Sequence, residues 1–72
     1  MHFPRIRDMR EDADLTQSQV ADMLGIAQTV YSRYERGYQT IPLLLLIQLA
    51  DYYNVSLDYL TGRTHSMKMN RS

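Results

Sequence analysis

Apolar positions along this chain recur at the three- and four-residue spacing of helices. Ile6, Met9 and Ala13 share one face of a first helix over residues 4–13, with Pro4 tolerated in its first turn. Val20, Ala21 and Leu24 mark a short second helix, opened by Thr16-Gln17-Ser18-Gln19. That string has the form of a capping box, Thr16 at the N-cap and Gln19 reaching back from the third position. Tyr31 and Tyr34 face inward from a third helix over residues 28–36. A fourth, starting near Pro42, is expected to bury Leu43, Leu46, Ile47, Ala50 and Tyr53. Ser56 then caps a last turn carrying Leu57 and Leu60. Gly25, Gly37, Asn54 and Gly62 stand where helices end on a left-handed residue. No stretch alternates strictly as a half-buried strand would, so the pattern predicts an all-α fold, a compact five-helix bundle. Residues 1–62 make the domain, and residues 63–72 read as a flexible polar and basic tail.

Composition narrows what such a bundle can do. With 72 residues the core is thin, and a chain this size buries roughly 60% of its unfolded surface. Without Cys it has neither disulfides nor thiolate metal sites, and His2 and His65 stand near opposite ends, so no metal site is expected. Neither His lies near a nucleophile, and so short a chain can hardly enclose a substrate, so the reading is not an enzyme, with no cofactor and no small-molecule ligand. No apolar run reaches the ~18 residues of a membrane span, and no signal-peptide core precedes the domain. A cytoplasmic location without membrane association is therefore expected.

Net charge is zero, with 8 basic and 8 acidic residues, so the simplest footprint of a nucleic-acid binder is missing. Distribution matters more than the sum. Glu11, Asp12 and Asp14 cluster before the second helix, where capping and solvation of a loop explain them. Arg33 and Arg36 lie together in mid-chain, and Arg63, Lys68 and Arg71 sit in a terminal stretch without Asp or Glu.

Residues 17–36 carry the functional signal. Two short helices are separated there by Gly25-Ile26-Ala27 alone, a turn that forces a steep crossing. Ala21 is small where the helices approach, and Gly25 permits the turn. Val20, Leu24, Ile26, Tyr31 and Tyr34 fill the angle between them. Together these make a helix-turn-helix, whose second helix enters the major groove. Its outward positions Gln28, Thr29, Ser32 and Arg33 are polar, with side chains suited to adenine, a thymine methyl and guanine.

The strings LTQSQVADMLGIAQTVYSRYERG and IPLLLLIQLADYYNVSLDYLTG resemble the Cro and phage-repressor (Xre-type) family, and the resemblance covers residues 4–62. It implies a bacterial or phage transcription regulator, a repressor, binding palindromic double-stranded DNA as a dimer. It assigns base contacts to Gln28, Thr29, Ser32 and Arg33, and backbone contacts to Gln17, Arg36, Tyr38 and Gln39. It also implies a structural ion pair between Arg10 and Glu35. The chain departs from the family at Ala27, where Ser or Thr commonly caps the recognition helix, at Val30, and at Leu44. Leu44 and Leu45 leave excess apolar surface on the fourth helix, either deeper core or the contact of a weak homodimer. The alternative function is a protein-interaction module on the same scaffold, an antitoxin or bridging factor, with DNA contact secondary.

Overall fold

A computed structural model describes residues 2–65. Within them the chain forms α1 (Pro4–Asp12), α2 (Gln17–Leu24), α3 (Gln28–Arg36), α4 (Leu43–Tyr53) and α5 (Leu57–Leu60). No strand occurs among the described residues. The basic positions Lys68 and Arg71, and the tail beyond residue 65, lie outside them.

Helix ends follow the local chemistry. Thr16 accepts from the Gln19 backbone N–H at 3.1 Å while the Gln19 side chain accepts from the Thr16 N–H at 2.8 Å, closing the capping box. Ser56 accepts from the Tyr59 N–H at 2.9 Å, which starts α5. Gly25 ends α2 at φ 73°, and Asn54 ends α4 at φ 56°. Ala27, by contrast, gives α3 no side-chain cap. Its extended backbone (φ −71°, ψ 145°) already suits a capping hydroxyl. Ala27→Ser is therefore expected to raise stability by about 1 kcal/mol, read as a higher Tm in thermal melts. An unchanged Tm would mean that other partners already satisfy the start of α3.

The core is built around Ile6 from α1, Val20, Ala21 and Leu24 from α2, Tyr31 from α3, and Leu46, Leu49 and Ala50 from α4, with Ile41, Val55 and Leu60 closing its edges. α2 packs on α3, α4 packs on α5, and α1 touches both α3 and α5. Two expectations require correction. Ala13 is exposed at the end of α1, and Leu15 packs on the core there alongside the expected Met9. In α4, Leu43 and Ile47 face solvent, 61% and 38% exposed, while Leu49 is fully buried. The buried set Leu46, Leu49, Ala50 and the half-buried Tyr53 is one helical face, i, i+3, i+4, i+7.

Arg5 holds the end of the described chain to α1. Its guanidinium stacks 4.2 Å over the Tyr59 ring and donates to the carbonyls of Tyr59 (2.8 Å) and Thr64. The chain past Gly62 therefore stays beside Arg5 as far as His65, whose Nδ1 lies 3.2 Å from the same guanidinium.

Candidate nucleic-acid interface

α3 divides into two faces. Tyr31 and Glu35 are buried on one, and Gln28, Thr29, Arg33 and Arg36 are exposed on the other, with Ser32 half-buried between. Residues 28, 29, 32, 33 and 36 follow helical spacing, so they form one outward stripe. The αL residue Gly37 (φ 80°) ends the helix and turns Tyr38 back over it. The Arg36 guanidinium lies 5.6 Å from the Tyr38 ring centroid, and Tyr38 is 74% exposed. An open hollow of about 490 Å³ is lined by Gln17, Gln28, Thr29, Ser32, Arg33, Arg36 and Tyr38. Gln39 is exposed but does not line it; its N–H reaches the Arg33 carbonyl at 3.4 Å.

Behind this face a charged network fixes the angle of α3. Arg10 Nε donates to Glu35 Oε2 at 2.6 Å, and its Nη2 donates to Oε1 at 3.1 Å. Arg10 Nη1 also donates to the Leu15 carbonyl at 2.8 Å. Glu35 is 3% exposed, so its charge is held almost wholly by protein groups. Burial pushes the Glu35 carboxyl up, but hydrogen bonds, from Arg10 above all, outweigh it and hold the group below its ordinary range. The buried Tyr31 hydroxyl lies close enough to contribute, yet makes no hydrogen bond of normal geometry. Burial first, then the neighbouring Glu35 charge, pushes Tyr31 far above an ordinary phenol.

Gln17 belongs to both parts. As first residue of α2 it borders the outward hollow, and its Nε2 donates to Glu35 Oε1 at 3.1 Å. The groups that Gln17 can offer as the expected backbone contact are thereby narrowed. One amide hydrogen is committed to Glu35; the second, and the backbone N–H, remain.

A helix-turn-helix family model matches residues 6–60, which contain the α2–α3 pair and the core that supports it. The chain belongs to the Cro/C1-type helix-turn-helix family. It is 41% identical over 64 residues to the HTH-type transcriptional regulator YobD of Bacillus subtilis (strain 168), covering 89% of this chain and 57% of that protein. It is 37% identical over 68 residues to the regulator ImmR of the same organism, covering 94% and 54%. The cryptic phage CTXphi transcriptional repressor RstR of Vibrio cholerae is 37% identical over 57 residues, covering 79% and 51%. The chain thus spans about half the length of the curated relatives it matches.

The remaining assigned positions are on α4. Leu44 is 73% exposed, whereas Leu45 is half-buried and packs on the domain's own core. Sequence reasoning missed that Leu43 and Ile47 join Leu44 on the surface. It also missed His2, which sits against the end of α3; no sequence pattern marks a contact between residues 33 apart.

Proposed function

We propose that this domain binds double-stranded DNA sequence-specifically and acts as a transcriptional repressor, with α3 in the major groove. The observation that carries this reading is the polar outward stripe of α3, which meets the start of α2 and the Arg36–Tyr38 turn in one continuous hollow. Gln28, Thr29, Ser32 and Arg33 read base edges, while Gln17, Arg36, Tyr38 and Gln39 hold the sugar–phosphate backbone. The relatives described above, transcriptional regulators and a phage repressor by name, support the same reading. Selection of bound duplexes from a random pool tests it. A consensus of a few base pairs that footprints on one groove face is expected, and recovery of no enriched sequence would overturn it. Of the four proposed backbone contacts only Arg36 is a cation, so few phosphates are neutralised and log affinity should fall only shallowly with log salt.

One recognition helix reads too few base pairs for a useful site, so two copies on a palindrome, spaced about one helical turn or ~34 Å, complete the reading. The exposed Leu43, Leu44 and Ile47 supply an apolar patch for a weak homodimer with Leu44 at the contact. Leu44→Glu is expected to leave the fold intact and to abolish two-copy occupancy of a palindromic duplex in sedimentation. If wild type and variant each occupy single half-sites with equal affinity, the dimer is excluded. The same patch favours the second reading, docking of an unrelated protein. That reading gains if Leu44→Glu leaves DNA occupancy unchanged while disrupting a complex with another protein.

A further inference from the structure

His2 folds back onto the end of the recognition helix. Its Nε2 lies 2.7 Å from the Glu35 carbonyl oxygen, so Nε2 carries the hydrogen and donates it. The ring also sits over Gly37, where an added Cβ would come within 3.0 Å of His2 Cβ and Cγ. Gly37 therefore leaves room for His2, between the two backbone-contact candidates Arg36 and Tyr38. A second hollow, of about 610 Å³, opens beside His2 and shares Gln17, Arg36 and Tyr38 with the hollow of the recognition face. The two hollows adjoin at these three residues, which places His2 next to the recognition face.

We propose that His2 is a further DNA-backbone contact, a protonatable one that binds a phosphodiester through Nδ1 at the flank of the site. This rests on the DNA-binding reading above. With Nε2–H committed to Glu35, the neutral ring offers only a lone pair at Nδ1, which repels a phosphate oxygen. The protonated ring offers an N–H and a positive charge there, and keeps its bond to the Glu35 carbonyl. That carbonyl belongs to the last turn of α3, whose dipole favours a cation. The charged groups around the second hollow are Arg7, Asp8, Arg10 and Glu11 from α1, and Glu35 and Arg36 from α3. Arg10 is neutralised by Glu35, and Arg7 pairs with Glu11 at 3.5 Å. Asp8 and Arg36 balance, so the hollow is close to neutral until His2 takes a proton or a phosphate arrives. DNA binding through Nδ1 accordingly takes up a proton at His2.

The test compares wild type, His2→Gln and His65→Gln on one selected duplex at pH 6 and pH 8, across a salt series. Gln keeps a donor for the Glu35 carbonyl but cannot be protonated. Wild type and His65→Gln are expected to bind about three- to fivefold more tightly at pH 6, the effect of one exposed ion pair. Their log–log salt slope should steepen by roughly 0.9 at pH 6, one more phosphate neutralised. His2→Gln should lose both differences and match wild type at pH 8. If His2→Gln keeps the pH response, or shifts affinity equally at both pH values, His2 is a structural strap and the assignment falls. Wild type that binds equally at both pH values overturns the His2 contact alone. No binding of wild type at either pH overturns the DNA-binding reading, and the His2 contact with it.

Discussion

Arg10→Met is expected to lower stability by about 3 kcal/mol, which for a domain this small is a fall in Tm of roughly 15 °C. The substitution strands the Glu35 carboxylate, 3% exposed in the wild type, with Gln17 as its remaining side-chain partner, and it also strips the Leu15 carbonyl of its Arg10 bond. A control must be an arginine without such commitments. Arg5 does not qualify, because it stacks on Tyr59 and donates to two carbonyls of the terminal segment. Arg7 does: its 3.5 Å pair with Glu11 is solvent-exposed on both sides, so Arg7→Met should change stability by no more than a few tenths of a kcal/mol. Equal melting temperatures for the two variants would show that Glu35 finds water once Arg10 is gone. The double variant Arg10→Met, Glu35→Met should recover much of the loss, because the cost lies in a stranded charge more than in a lost attraction.

The same pair dictates an acid limit. Glu35 titrates below its ordinary range in the folded state, so the unfolded chain binds its proton first as pH falls. The stabilisation it brings is fully present above the unfolded carboxyl value and disappears as pH drops through the lower folded value. Wild type should therefore lose stability across that acid window. In the double variant this component of the slope should vanish.

Where the amino-acid pattern carried one unambiguous period, it located the structure. The Thr16–Gln19 box, Gly25 and the Tyr31 spacing define the helix-turn-helix through local rules, and the bonds and dihedrals follow them. In α4 the pattern was degenerate. Residues 43–47 are all apolar, so any phase of the helix buries something plausible there. The choice was made by tertiary context: with Leu46, Leu49 and Ala50 buried, Leu43 and Ile47 fall on the outward side of the helix. Among contacts between distant segments, the Arg10–Glu35 pair was legible through the family resemblance, and those made to backbone carbonyls were not. Arg5 to the Tyr59 carbonyl and His2 to the Glu35 carbonyl join side chains to backbone, and a carbonyl has no sequence signature.

Arg33→Ala should cost roughly 1–3 kcal/mol on the selected duplex, about 5- to 150-fold in affinity, and relax the preference at the base pair it reads. Gln28→Ala should do the same at a different base pair. The two stand five positions apart, about 7.5 Å along the helix axis at 1.5 Å per residue, so their effects should fall at separate positions of the site. Arg36 is the internal contrast. It stands one turn beyond Ser32, over Tyr38 and beside the second hollow, and is proposed above as a backbone contact. Arg36→Ala should weaken selected and random duplexes by the same factor and reduce the log–log salt slope by roughly 0.9, the loss of one neutralised phosphate. Binding measured for each variant on the selected duplex, on single-base-pair mutants and on random DNA separates the two outcomes. If Arg33→Ala weakens all of these alike, then Arg33 grips a phosphate. Sequence reading would then fall to the first turn and a half of α3, to Gln28, Thr29 and Ser32.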